Sequence, residues 1–283
     1  MTRGDFAVPD RASTRIIAAI TSDAALEAVL STATAVSGLF GAEVEALHVG
    51  AAQATLSTAA NRSGVPLRNV AGETGQALAD AVAGEDVAAL VVGARGTRTG
   101  KRPAGSTALA LITLQQLPVV VVPPDARVTD RAIESVLVPL DGSPASAAAL
   151  SDIVELAHRA ALRIVVAHVQ GPRSLPAFSD HLPHEVRAWS EEFIARHCPG
   201  AAEATLELRV GEPHEHVLDI LRDTSCDLVA LGWRQELGSG RAAVVRRMLG
   251  ESPVPVLLTP ARAELGSCSV DHALTSARDS RRA

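Results

Sequence analysis

Tyrosine is absent from this sequence, and four Phe with two Trp make up its entire 2% aromatic content. Almost nothing is left from which to build the base-stacking platforms of single-strand nucleic-acid binders. Basic residues are in deficit as well: 26 Lys and Arg against 32 Asp and Glu give a net charge of −6, which argues against broad adhesion to nucleic acid or to a membrane surface. Only three cysteines occur, Cys198, Cys226 and Cys268, widely spaced and without a CxxC pair. That excludes a disulfide framework or a zinc pattern and leads us to expect a reduced, cytoplasmic compartment. No apolar run approaches a membrane span, and residues 1–14 carry charges and Pro9 where a secretory signal would have an apolar segment. A Gly-x-Ser-x-Gly elbow and a Walker Gly-Lys-Ser/Thr are missing too, so nothing nominates a dedicated catalyst.

What the sequence does contain, it contains twice. Arg15-Ile16-Ile17-Ala18-Ala19-Ile20, Ala46-Leu47-His48-Val49, Gly72-Glu73, Leu90-Val91-Val92-Gly93 and Pro118-Val119-Val120-Val121-Val122 run in order along the first half. Ser135-Val136-Leu137-Val138-Pro139-Leu140, Ala167-His168-Val169, Gly211-Glu212-Pro213, Leu228-Val229-Ala230-Leu231-Gly232 and Pro255-Val256-Leu257-Leu258 repeat that order. The offset is 120 residues between His48 and His168 but 139 between Gly72 and Gly211, so the second copy holds 19 extra residues between those landmarks.

Short, almost continuous apolar runs alternate with longer Ala/Leu-rich stretches, as in strands buried on both faces by crossover helices. The runs predict strands at 15–20, 43–49, 66–71, 88–93 and 118–122, then at 134–140, 163–169, 204–210, 227–232 and 254–259. The expected fold class is therefore α/β, with two tandem five-stranded parallel-sheet α/β sandwiches of the Rossmann-like kind. Residues 14–124 and 133–260 form the two domains, and 125–132 a linker opened by the adjacent Pro123 and Pro124. The ends, 1–13 and 261–283, are polar and aperiodic and read as flexible tails. Ser143-Pro144 is a helix start and Gly41 a helix stop. The extra residues predict a helix over 183–197 that lays Val186, Trp189, Phe193 and Ile194 on one face and covers the second domain, with a partner-contact surface as the alternative.

The strongest chemical signal is Gly93-Ala94-Arg95-Gly96 followed by Gly105-Ser106-Thr107, between a strand's carboxyl end and a helix. Glycines admit an anion close to backbone N–H groups, and a helix start adds orphan donors and partial positive charge. Arg95, Arg98, Lys101 and Arg102 stand between those glycines with no acidic residue. The alternative is a solvated loop whose glycines serve only the turn.

Strand, Gly-x-x-Gly, spacer, Gly-Ser, helix and Pro-Val-x-Val-Val together resemble the universal stress protein family, as does Val136-Leu137-Val138-Pro139-Leu140-Asp141-Gly142-Ser143. The resemblance covers residues 14–260 and implies two such domains in one chain, with a nucleotide, ATP with its Mg2+, held at the carboxyl edge of the sheet. It places Asp141 and the strand-end Val49 and Val169 at the base and ribose, and Gly93, Gly96, Gly105, Ser106, Thr107 and Gly232 at ribose and phosphates. The first copy has Thr21 where the second has Asp141, so its base half lacks a carboxylate there. The second copy has Gln235 in place of the second glycine and Ala242-Ala243 in place of Gly-Ser, so its phosphate half is degraded. The expected function is a nucleotide-binding regulatory module of the stress response, with the better phosphate site in the first domain. A structural or partner-interaction protein without nucleotide, and a weak ATP hydrolase, are the alternatives. The resemblance further implies an intrachain pseudo-dimer through the last strand of each domain, which would cover an otherwise open edge, and is compatible with a homodimer.

His48 and His168, at repeated strand ends, read as hydrogen-bonded structural imidazoles. His214-Glu215-His216 offers no metal face, because residues two apart on a helix point in different directions. No catalytic residue and no metal ligand is assigned.

Overall fold

The computed structural model describes residues 14–94, 105–114, 116–124, 126, 131–171, 183–201, 203–233 and 242–260. Gly96, the four cations of the first glycine loop, Gln235 and both terminal segments lie outside them.

The first half runs β1 (Arg15–Ala19), α1 (Leu26–Phe40), β2 (Glu43–Val49), α2 (Ala54–Arg62), β3 (Leu67–Val70), α3 (Thr74–Val82), β4 (Val87–Gly93), α4 (Ser106–Leu114) and β5 (Val119–Val122). The second runs β6 (Ser135–Pro139), α5 (Pro144–Arg159), β7 (Arg163–Gln170), α6 (Pro183–His197), β8 (Thr205–Val210), α7 (Pro213–Thr224), β9 (Leu228–Trp233), α8 (Ala243–Glu251) and β10 (Val256–Pro260). Every predicted strand is present, with ends within two residues of the expected ones.

The strand order is β3-β2-β1-β4-β5-β10-β9-β6-β7-β8, so the same doubly wound order occurs in each half. Pairing is parallel throughout except at the seam, where β10 runs antiparallel to β5 with Leu257 opposite Val120. Within each half the winding direction reverses between the first strand and its fourth, β1 with β4 and β6 with β9, and there the carboxyl ends leave a crevice. The antiparallel seam points the carboxyl ends of the two halves, and hence the two crevices, toward opposite edges of the sheet.

The inner strands are buried on both faces, which is why they read as almost unbroken apolar runs, whereas the edge strands β3 and β8 are only half-buried and carry Arg68, Asn69, Glu207 and Arg209. Ile16, Ala18, Val120, Val136, Val138 and Leu257 face one core, packed under α1, α2, α5 and α6. Ile17, Val119, Val121, Leu137, Val256 and Leu258 face the other, under α3, α4, α7 and α8. Each core runs across the seam, so the β5–β10 contact is sealed by side chains on both faces as well as by backbone pairing.

Local rules account for the helix ends. Gly41 closes α1 at φ +61 with its N–H bonded to the Ser37 carbonyl, and the Ser143 hydroxyl caps α5 by accepting from the Ser146 N–H at 3.1 Å. Ala161, 120 residues after Gly41, adopts the same left-handed backbone at φ +54 without the glycine that suits it. The inserted helix α6 buries Phe193 and Ile194 and half-buries Trp189, so these three pack on the second half as expected, while the Val186 side chain lies outside the described ones. At the amino edge of the first half, Arg15 bonds both Asp86 and Glu45, and Glu45 also takes Arg68 at 2.6 Å, which ties β1, β2, β3 and the start of β4 in one charged row.

Candidate functional site

The first crevice is a cavity of about 280 Å³ walled by the ends of β1, β2 and β4 and by α1, α3 and α4; Thr21, Asp23, Val49, Thr74, Gly93 and Gly105 are among its lining residues. The second, about 680 Å³, is formed by the equivalent elements and is lined by Asp141, Val169, Glu212, His214, Gly232 and Trp233, with Ala242 and Ala243 at the start of α8. Thr21, Val49, Gly93 and Gly105 are thus brought together in one cleft, and Asp141, Val169 and Gly232 in the other. Ser106 and Thr107 open α4 beside the first cleft, their side chains outside the described ones.

The register that matches Thr21 with Asp141 is held by a repeated strap. Ile20 N–H donates to the Leu47 carbonyl at 2.9 Å, and Leu140 N–H to the Ala167 carbonyl at 2.8 Å. His48 Nδ1 donates to the Ile20 carbonyl at 3.1 Å, and His168 Nδ1 to the Leu140 carbonyl at 2.8 Å. The Gln53 amide sits 3.3 Å from His48 Nε2, which completes the tautomer with the proton on Nδ1. Each histidine therefore clamps the turn that presents the cleft's polar residue, the structural role expected for it.

Sequence comparison finds no carboxylate at Thr21, but the fold supplies one two residues later. Asp23 lines the first cleft; its Oδ2 accepts from the Thr21 hydroxyl at 2.8 Å and its Oδ1 from the Ala25 N–H at 3.0 Å. The signal was the order Thr21-Ser22-Asp23 against Asp141-Gly142-Ser143, in which the acid moves from the first place to the third. In the second half Asp141 Oδ1 accepts from the Ser143 N–H at 2.9 Å, the turn its Asp-Gly-Ser-Pro sequence favours.

Gly93 and Gly232 have a packing role that the glycine loop obscured. A Cβ on Gly232 would stand 2.8 Å from the Ala149 Cβ of α5, and one on Gly93 would stand 3.2 Å from the Ala25 Cβ. Each glycine lets the first helix of its half cross closely over the strand, and this requirement stands whether or not a ligand is present. Ala242, at the place of Gly105, is left-handed at φ +54, a conformation in which glycine is free of strain and alanine is not.

Two further differences separate the clefts. Glu73 caps α3 by accepting from the Gly75 and Gln76 N–H groups at 3.0 and 2.8 Å, and these bonds hold its carboxyl below the usual range. Its counterpart Glu212 precedes Pro213, makes no side-chain cap and lines the second cleft. On the opposite side α6 brings an aromatic row over the Asp141 turn: the Phe193 ring lies 4.7 Å from His168 and 4.5 Å from His197, and 5.2 Å from Trp189. Burial there pushes the His197 imidazole below its ordinary pKa. Among the described residues no group of three His, Cys, Asp or Glu is placed to hold a metal, and no helix is long and apolar enough to cross a membrane.

A doubly wound α/β unit with a cleft at its topological switch point, present twice and joined edge to edge, defines the class of protein. Residues 132–260 match the model of the universal stress protein family. The crystal structure of a universal stress protein from Archaeoglobus fulgidus DSM 4304 covers 89% of this chain and 97% of its own length at 18% identity and a TM-score of 0.60. A putative universal stress protein from Pseudomonas aeruginosa covers 88% and 94% at 13% identity and 0.59. A shorter universal stress protein from Archaeoglobus fulgidus, in complex with dAMP, covers 44% of this chain and 96% of its own at 19% identity and 0.31. No curated protein matches in sequence.

Proposed function

We propose that this chain is a nucleotide-responsive module of the stress response whose first cleft takes the phosphates of ATP. The observation that carries the reading is the meeting, at one switch point, of Gly105 and the start of α4 with the Thr21–Asp23 pair. Orphan N–H groups of α4 and the glycine backbone suit an anion, whereas a carboxylate oriented by a hydroxyl suits the donor hydroxyls of a sugar. The cavity lies near the lower end of the roughly 300–1,000 Å³ typical of small-molecule sites, so a ring and sugar fill it and the phosphates reach Gly105 at the start of α4. Thr21, Asp23 and Val49 would hold the nucleoside, and Gly105 with Ser106 and Thr107 the phosphates; bound Mg2+ would supply charge neutralisation. The cytoplasm, where ATP is abundant and cysteines stay reduced, is the compartment that suits this role.

Calorimetry of the full chain with ATP and magnesium tests the reading. Saturable heat that disappears in the Gly105→Asp, Ser106→Ala variant is the expected result. Unchanged affinity in that variant, or no heat at millimolar ATP, refutes it and favours a partner-interaction protein.

A further inference from the structure

Among the described residues the sheet ends in two edges, β3 and β8, because the seam pairs β5 with β10. An edge strand presents unpaired backbone donors and acceptors, and natural edges are shortened, charged or covered to blunt that row. β3 has only four residues, and its Arg68 is held by Glu45 at 2.6 Å. β8 has six, and it ends in Val210, which at 48% is the one exposed large apolar side chain among the described residues.

The ladder decides which groups of β8 are open. Gly211 N–H donates to the Gln170 carbonyl at 2.9 Å, and in a strand alternate residues turn to the same neighbour. Residues 205, 207 and 209 therefore bond β7, while Leu206, Leu208 and Val210 turn their N–H and C=O groups outward. Side chains divide in the same way: Arg209 reaches Glu207 at 3.4 Å and Asp223 of α7 at 3.5 Å, whereas Leu206 packs on the opposite face, the one that α6 covers.

We infer that β8 is a self-association edge, to which a second copy of this chain adds its own β8 antiparallel about a two-fold axis at Leu208. In that register Leu208 exchanges backbone bonds with Leu208 of the second copy, and Leu206 with Val210, so every outward N–H and C=O of the three residues finds a partner. Leu206 and Val210 become an apolar cross-strand pair on the α6 face. Glu207 falls opposite Arg209 on the α7 face, at the closely spaced pairs that carry no backbone bonds. An axis one residue earlier or later sets Glu207 against Glu207 or Arg209 against Arg209, and like charges directly opposite are destabilising. Charge thus selects one register of the edge with itself. Neither cleft takes part, so the association is independent of nucleotide binding.

Sedimentation equilibrium of the full chain, 29.3 kDa as a monomer, tests this. One strand pair buries little beside the roughly 1,200 Å² of a stable interface, so a reversible dimer that builds up toward about 0.5 mM chain is expected. Glu207→Arg and Arg209→Glu, each checked for folding by melting temperature, both create like-charge pairs across the axis and should weaken the dimer about tenfold or more. An equimolar mixture of the two variants restores opposite charges at both places and should associate as wild type does, a result that misfolding of either variant cannot give. A dimer indifferent to both reversals, or a mixture no tighter than the separate variants, would overturn the inference. So would a wild-type monomer at about 0.5 mM, which would leave the edge to a different partner.

Discussion

Substituting Ala161 by glycine is expected to stabilise the protein, although it removes a side chain and contacts with it. Ala161 holds φ at +54, where an L side chain presses on the following carbonyl at a cost of roughly 1–2 kcal/mol. Glycine relieves that strain but gives the unfolded chain more freedom, which costs about 0.4–1 kcal/mol. The difference is a net gain of about 0.5–1 kcal/mol. Gly41 is the mirror case: it holds φ +61 with nothing within 4 Å of an added Cβ, so Gly41→Ala pays the backbone cost without a clash and should lose a similar amount. Ala242→Gly should resemble Ala161→Gly, because its backbone is also left-handed at φ +54. Ala161 lies at the amino edge of the sheet and Ala242 at the carboxyl-edge cleft, so the two gains should add within a few tenths of a kcal/mol. Urea titration followed by far-ultraviolet dichroism measures each difference, and thermal scans should move by about 2–4 °C per kcal/mol. A fall in stability for Ala161→Gly, as for glycine placed in an ordinary helix interior, would refute the assignment of strain.

The Arg15 row gives a pH dependence with a definite sign. Hydrogen bonding to Arg15 lowers the Asp86 carboxyl below its ordinary value, so its stabilisation is full above the unfolded value near 4 and fades as pH falls through the lower folded one. Wild type should exceed Asp86→Asn by at most about 1 kcal/mol at pH 7, since both side chains are over a third exposed, and the two should converge in acid; a gap that persists at pH 2 contradicts this. At the first cleft, Asp23→Asn should weaken ATP about tenfold while Thr21→Ser, which keeps the orienting hydroxyl, stays near wild type; equal affinities in calorimetry would remove Asp23 from the site. Burial pushes the Cys198 thiol up to about 11, so its labelling at pH 8, read by peptide mass spectrometry, should follow unfolding in urea, and rapid labelling of the native protein would contradict that.

Much of this molecule could be read along the chain because the signals are local. A strand buried on both faces needs an unbroken apolar run, and the order of such runs, with the more polar edge strands β3 and β8 between them and glycine, proline and serine at their ends, states a doubled α/β topology. The strand-end histidines, the Ser143 cap and the helix over 183–197 followed from spacing alone. Asp23 and Glu212 did not: position-by-position comparison looks for an acid at Thr21 and finds none, and it sees Glu212 as the twin of Glu73. Only the path of the turn after β1 carries Asp23 to the cleft, and only the folded chain shows the Glu212 side chain making no cap and lining the second cleft.

The amino-acid order by itself determined that two like units exist, which elements each contains, and that the glycine loop is intact in one and altered in the other, since propensity, periodicity and turn chemistry act over a few residues. Tertiary structure decided what those rules cannot reach: that Leu257 lies opposite Val120 across an antiparallel seam, that Gly93 and Gly232 accommodate a crossing helix, and which acids face each cleft. Those outcomes depend on the distances between segments far apart in sequence, which are set only when the whole sheet closes its two cores.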